Sequence, residues 1–119
     1  GVIAAIAYPS YTKSVQKSNR TDAKIALTEA ATRQERIYSQ SGAYAGNDDI
    51  AKLVSNADGV SSPDGHYKMT VDTTACSGDG TCFLIVATAQ GGQANDTACA
   101  TLKLNQIGQK TSTGGGTCW

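Results

Sequence analysis

Residues 1–11 read Gly1-Val-Ile-Ala-Ala-Ile-Ala-Tyr-Pro-Ser-Tyr11, and this stretch decides how the rest of the chain is interpreted. It is apolar and free of charge up to Tyr8, and the sequence becomes polar after Pro9. A helix that crosses a bilayer needs about 20 apolar residues, so this run is too short to span one. It predicts the end of a longer apolar helix that starts before Gly1. A buried first helix of an ordinary globular protein is the alternative that periodicity leaves open.

The polar stretch that follows predicts a continuation of this helix with one buried stripe. Its apolar positions recur mostly at steps of three, four or seven, and good helix formers are plentiful between Ala23 and Arg36. Residues 18–22 are poor helix formers, which predicts a bend or loosening there. Gly42 predicts the end of the helix, since glycine accepts the left-handed conformation. The stripe comprises Tyr11, Val15, Ala23, Leu27, Ala30, Ile37 and Tyr38, flanked by Ala26 and Ala31.

The second half of the chain predicts strands. In the connecting region 39–65, Asn47-Asp48-Asp49 is predicted to cap a short helix. A helix over residues 1–38 followed only by strands is typical of an α+β fold, here a single domain with an antiparallel sheet in residues 66–119 laid on the helix. The strands are predicted at 66–72, 82–89 and 99–105, with a short fourth strand from Lys110-Thr111.

The alternation within these strands predicts which side chains face the core. Tyr67, Met69 and Val71 share one face of the first strand. In the third strand, Cys99 would share the outer face with Thr101 and Lys103. The opposite, core-facing side of that strand comprises Ala100, Leu102 and Leu104.

The four cysteines predict two disulfides rather than a zinc site, because the chain has one histidine and no CxxC pair. No cofactor or metal is predicted. Disulfides indicate the periplasm or the cell exterior. Three pairings are open, and a tight reversal between Cys76 and Cys82 ranks that pair first, which leaves Cys99 for Cys118. The second bond would enclose Gly114-Gly115-Gly116.

Several stretches of the sequence resemble type IV pilins. The opening residues 1–11 resemble the second half of the apolar N-terminal segment of that family, including its proline and following tyrosine. Residues 30–38 and 41–44 are similar to the end of the family's helix and its first loop. The resemblance to the minor pilins of the PilE-like branch rests on the C-terminal part, in Gly91-Gly92-Gln93, Asp96-Thr97-Ala98-Cys99, residues 102–108 and Cys118-Trp119.

The resemblance implies the type IV pilin fold: one long helix, a four-stranded antiparallel sheet and a C-terminal loop closed by Cys99 and Cys118. In the family, a peptidase trims a leader, the new N-terminus is methylated, and an ATPase-driven machine in the inner membrane moves subunits into an extracellular fibre. Other pilins and that machinery are therefore the implied partners, with membrane anchoring only in the full-length protein. The implied assembly helix includes Ile3, Ile6, Tyr8, Pro9 as its kink, and Tyr11.

The resemblance implies a structural subunit that acts in pilus assembly, twitching motility or adhesion. An enzyme is not predicted, since the sequence offers no nucleophile and base to act with His66, the only histidine. The alternatives are a fibre subunit that binds DNA or a surface ligand, and a type II secretion pseudopilin. The net charge is zero, and Lys103 and Lys110 are few for DNA binding, so nucleic acid is not favoured. A basic helix side is either solvated or contacts acidic groups of neighbouring subunits; it comprises Lys13, Lys17, Arg20 and Lys24.

Overall fold

The computed structural model of the protein describes residues 2–113 and 117–119, with residues 2–10 described by their backbone alone. Residue 1 and the predicted loop residues 114–116 lie outside the described part. A single long helix, α1, is followed by a four-stranded sheet in the order β1-β2-β3-β4, with all neighbours antiparallel. The α+β fold predicted from the sequence is confirmed. The elements are α1 (Val2–Ser41), β1 (Tyr67–Asp72), β2 (Leu84–Ala89), β3 (Thr101–Asn105) and β4 (Lys110–Thr113).

The core lies between one face of α1 and the inner face of the sheet. The predicted stripe is buried at Ala23, Leu27 and Ala30. The first and last residues of the stripe are exposed instead, since Tyr11 is 68% and Tyr38 is 42% accessible. The prediction was therefore wrong at Tyr11 and at Tyr38, whose ring lies against that of Tyr44, whereas Ile37 packs against the core as predicted. The sheet contributes to this core the buried side chains Tyr67, Met69, Val71, Ile85, Ala87, Leu102 and Leu104.

The helix is continuous through residues 18–22, so the predicted loosening is absent there, and a bend stays a prediction. Three side chains of that stretch have partners elsewhere in the fold. Asn19 donates to Gln93, Arg20 donates to Asp96, and Asp22 accepts a hydrogen bond from Ser62. These contacts offset the low helix propensity of the stretch. The helix ends at Ser41, beyond the predicted boundary at residue 38. Gly42 closes it with a φ of 81°, as expected for a glycine that terminates a helix.

The connecting region contains a short 3-10 helix at Asn47–Lys52. Asn47 does not cap it as predicted, because Gly46 occupies the N-cap position and no side-chain cap is formed. The Asn47 amide oxygen instead accepts a hydrogen bond from the backbone N–H of Val71 in β1. Gln34 of α1 fixes the start of this region, since its buried amide both donates to and accepts from the backbone of Ala45 at 2.8 Å.

The strands β2 and β3 begin later than predicted, at Leu84 and Thr101. Cys99 therefore lies in a 3-10 turn, Thr97–Cys99, where strand alternation does not apply. It is fully buried, and its predicted position on the outer face is wrong. The inner-face assignment of Leu102 and Leu104 is confirmed.

The two edges of the sheet differ. Along β1, the backbone of residues 60–62 adds hydrogen bonds, in which Ser62 donates to Tyr67 and Met69 donates to Val60. The other edge is β4, which is four residues long and largely exposed. The β1 edge is therefore occupied by the chain itself, and the short β4 forms the opposite edge.

Gly80 lies where the hairpin between β1 and β2 meets the end of α1. Its φ is +83°, and a Cβ built there would stand 2.6 Å from the Cβ of Ala43. Gly80→Ala is therefore expected to lower the free energy of unfolding by about 2 kcal/mol, since it combines left-handed strain with a steric overlap. Gly42→Ala is the matched control, because Gly42 has a similar φ and open space around it. We expect about 1 kcal/mol there. Equal losses in urea unfolding would contradict a steric role for Gly80.

Candidate functional site

Both disulfides are formed, between Cys76 and Cys82 and between Cys99 and Cys118. The first closes the hairpin that links β1 to β2. The second ties the penultimate residue to the turn that precedes β3, and both of its cysteines are buried. Beyond it, the indole N–H of Trp119 donates to the carbonyl of Thr111 at 2.9 Å. The C-terminus is therefore held against β4 and forms the disulfide-closed region implied by the resemblance.

An ion pair joins α1 to the segment that precedes Cys99. The Arg20 guanidinium donates from Nε to Asp96 Oδ2 at 2.7 Å and from Nη2 to Asp96 Oδ1 at 2.8 Å. The Asp96 side chain is 5% accessible and the Arg20 side chain 17%. The hydrogen bonds to Asp96 raise the pKa of Arg20 above its usual value. This bidentate arrangement is the stronger form of such a pair and fixes both partners in orientation.

Gln93 extends this junction into the core. Its amide group donates to the hydroxyl of Tyr67 at 3.0 Å and to the backbone carbonyl of Gln16 at 2.9 Å, and it accepts from Asn19 at 3.2 Å. Burial raises the pKa of the Tyr67 hydroxyl. These bonds hold residues 16–20 of α1 against residues 91–99. The position of the C-terminal region therefore depends on a small polar cluster.

A second anchor on α1 is Asp22. Its carboxylate is buried and accepts hydrogen bonds from the Ser62 hydroxyl and from the backbone N–H groups of Asp64 and His66. The turn before β1 is thereby fixed to the helix. His66, the only histidine in the chain, lies one residue before β1 and takes part through its backbone. Within the described residues, no three His, Cys, Asp or Glu side chains are grouped as metal ligands.

The outer face of the sheet, which points away from α1, is rich in hydroxyl groups and carries two lysines. Lys68 on β1 and Lys103 on β3 lie on this face, with one acidic residue, Asp72, at its margin. Hydrogen bonds from Thr74 lower the pKa of Asp72. The hydroxyl-bearing residues that alternation places on this face are Thr70, Thr88, Thr101, Thr111 and Thr113.

The predicted assembly helix is described only in part. Ile3, Ile6, Tyr8 and Pro9 belong to α1 by their backbone, and the helix runs through Pro9 without a break, so a kink there stays a prediction. The side chain of Tyr11 is exposed. In the part of the chain that the structure describes, no helix has the length and apolar character needed to span a membrane.

The predicted basic side of α1 has three members instead of four. Lys13 and Lys17 are exposed and Lys24 is half-buried on the same helix face. Arg20 is engaged by Asp96 and no longer contributes a free charge. Spacing along the helix could place these residues together, but it could not reveal a partner 76 residues away.

A long helix on a four-stranded antiparallel sheet with a disulfide-linked C-terminal region defines a type IV pilin. Two solved pilins share this fold. A type IV pilin from Shewanella oneidensis is 24% identical, covers 87% of this chain and 97% of its own, and has a TM-score of 0.59. The non-core minor pilin PilV of Neisseria meningitidis is 19% identical, with coverage of 88% and 94% and a TM-score of 0.63. No curated protein sequence is significantly similar.

A family model described as "Type IV minor pilin ComP, DNA uptake sequence receptor" matches residues 9–103. The match spans most of the chain, which therefore belongs to this minor pilin family. The protein is a structural subunit of a type IV pilus and associates with other pilins in an extracellular fibre. The resemblance found in the sequence is confirmed.

Proposed function

We propose that this minor pilin is incorporated into the fibre and binds DNA there, without catalysing a reaction. The description of its family as a DNA uptake sequence receptor supports this proposal. So does the outer face of the sheet, on which Lys68 and Lys103 are the charged residues apart from Asp72 at the margin. In the same proposal, inner-membrane machinery delivers the subunit, and α1, with Ile3, Ile6, Tyr8, Pro9 and Tyr11, contacts other pilins.

The outer face has the chemistry of a phosphate-contacting surface. Lysine amines and threonine hydroxyls both donate to phosphate oxygens, and such contacts position a protein on DNA without reading its sequence. Lys68 and Lys103 lie two strands apart, or about 10 Å across the sheet. Because only two lysines take part, we expect modest affinity that depends on salt with a logarithmic slope of about −2. The zero net charge of the chain adds no long-range attraction.

DNA binding can be measured by fluorescence anisotropy with a labelled duplex of about 24 base pairs at several salt concentrations. We expect Lys68→Ala/Lys103→Ala to weaken binding about 10-fold and to flatten the salt dependence. Arg36→Ala/Lys52→Ala is the matched control, since it removes the same charge from exposed positions away from the outer face. Binding by the control should stay within about twofold of the original protein.

Two results would contradict this function. The first is no binding to the duplex at about 20 mM salt, where electrostatic contacts are strongest. The second is unchanged binding after loss of Lys68 and Lys103. In cells, deletion of the gene should reduce DNA uptake and leave surface pili in place. Loss of pili that is restored by disabling retraction would instead support a role in starting pilus assembly.

A further inference from the structure

The outer face of the sheet ends in a row of three side chains at the margin that borders the β1–β2 hairpin. Asp72 pairs with Leu84 across β1 and β2, and Leu84 pairs with Asn105 across β2 and β3. Residues that lie opposite one another project from the same face, so these three form what we call the terminal row. Asp72 belongs to the outer face because it follows Lys68 and Thr70 at steps of two. Its negative charge has no part in the phosphate contacts proposed above.

The Asp72 carboxylate is held in place through one oxygen. Its Oδ1 accepts hydrogen bonds from the backbone N–H of Thr74 at 2.9 Å and from the Thr74 hydroxyl at 2.6 Å. Among the groups that the structure describes, none donates to Oδ2, and the side chain is exposed. The hydrogen bonds from Thr74 also lower the pKa of Asp72, so the group is charged at neutral pH. Asp72 therefore presents an oriented acceptor with a negative charge.

The other two members of the terminal row do not compete with Asp72 for a polar partner. Leu84 is apolar and half-buried. The amide of Asn105 is engaged in its own turn, where its oxygen accepts from the backbone N–H groups of Ile107 and Gln109. Its nitrogen donates to the Gln109 side chain at 3.0 Å. Asp72 is therefore the member of the row whose polar group can bond to DNA.

The distances on the outer face place Asp72 over a groove of DNA when the lysines contact phosphates. Lys103 lies two strands from Asp72 and one row away, which puts their Cα atoms about 12 Å apart. Lys68 lies four residues before Asp72 on β1, or about 13 Å away. The major groove of B-DNA is about 12 Å wide. Lysines at the phosphates that border the groove thus leave Asp72 facing base edges.

A carboxylate on such a face can bond to few groups of a duplex. It repels phosphate oxygens, and in the major groove it finds donors only in the amino groups of cytosine and adenine, since guanine and thymine present acceptors there. We infer that Asp72 accepts a hydrogen bond from the amino group of a cytosine or adenine in the major groove. It thereby restricts one position on the contacted strand to these two bases. The inference rests on the DNA binding proposed above and adds a specificity-determining residue to it.

Methylation of the base amino groups tests this contact in the labelled duplex of about 24 base pairs. In paired N4-methylcytosine and N6-methyladenine, the methyl group replaces the hydrogen that points into the major groove, so the bases still pair but the donor to Asp72 is lost. We expect methylation of all these amino groups to weaken binding by the 119-residue protein about 5-fold at about 20 mM salt. Fluorescence anisotropy compares the two duplexes, and a melting curve verifies that the methylated one is paired.

Two variants separate the contact from a general effect of charge. Asp72→Asn replaces the free acceptor by an amide nitrogen, so it should bind the two duplexes equally to within about twofold. Asp79→Asn is the matched control. Asp79 is exposed and outside the strands, and its Oδ1 accepts the same pair of hydrogen bonds, from the backbone N–H and the hydroxyl of Thr81 at 2.9 and 2.6 Å. Both variants lose one negative charge, but Asp79→Asn should keep the full sensitivity to methylation.

Equal binding of the original protein to both duplexes overturns the inference and leaves the phosphate contacts of Lys68 and Lys103 intact. The inference is also overturned if Asp72→Asn stays as sensitive to methylation as Asp79→Asn, since another group would then contact the amino group. Absence of binding to either duplex contradicts the proposed function itself and this inference with it. Circular dichroism verifies that both variants are folded.

Discussion

Replacement of Asp96 by alanine is expected to lower the free energy of unfolding by about 3 kcal/mol. The substitution removes the carboxylate that holds Arg20 and leaves the guanidinium in a mostly buried position without its partner. It also removes an acceptor for the Gln93 amide at 3.4 Å. This value is at the lower end of the stability losses seen when buried ion pairs are broken, because part of the Arg20 side chain reaches solvent. Urea unfolding followed by circular dichroism provides the measurement.

The matched control for Asp96 is Asp49→Ala, which breaks the pair with Lys52. That pair is 3.3 Å long, and its side chains are 49% and 67% accessible. Exposed pairs contribute little, so we expect a change within about 0.5 kcal/mol. A loss at Asp96 as small as that at Asp49 would mean that the Arg20 junction does not stabilise the fold.

Removal of the disulfide between Cys99 and Cys118 is expected to cost about 3 kcal/mol, because the bond closes a loop with a sequence separation of 19. The double substitution Cys99→Ala/Cys118→Ala avoids a free thiol. It should also shift the emission of Trp119 towards that of a solvated indole, since Trp119 adjoins Cys118 and is the only tryptophan. Unfolding in urea and tryptophan emission in buffer give two independent readouts.

The other disulfide serves as the comparison. Cys76→Ala/Cys82→Ala opens a loop with a sequence separation of 6, for which the same chain-entropy relation gives about 2 kcal/mol. Trp119 is remote from this hairpin in the sheet order, so its emission should not change. If both double variants shifted the emission equally, Cys118 would not be what holds the C-terminus in place.

The parts of the fold that local signals specify were predictable. Gly42 marks the end of α1, and the alternation in β1 identifies Tyr67, Met69 and Val71 as core residues. The disulfides could be ranked because Cys76 and Cys82 flank a reversal, so geometry within a few residues decides the pairing. In each case the information lies within one element or one turn.

Two of the errors share a physical cause, which is contact between residues far apart in the chain. The poor helix formers at 18–22 predict a loosened stretch, but Arg20 and Asp22 hold it helical through Asp96 and Ser62. Asn47 has the side chain of a helix cap, yet it bonds to β1. The polar junction around Gln93 has no sequence signal at all, since its partners belong to α1, β1 and the segment before β3.

The unequal edges of the sheet bear on how a subunit could leave its neighbours. Extension of the sheet into another molecule requires a free strand edge, and β1 is already paired with residues 60–62. The remaining edge, β4, is short and begins with Lys110, and Trp119 lies against it. Short strands, charged residues and covering side chains all discourage edge-to-edge pairing. Contacts between copies then rest on side chains. A fibre built in this way can be disassembled one subunit at a time without unzipping backbone hydrogen bonds between molecules.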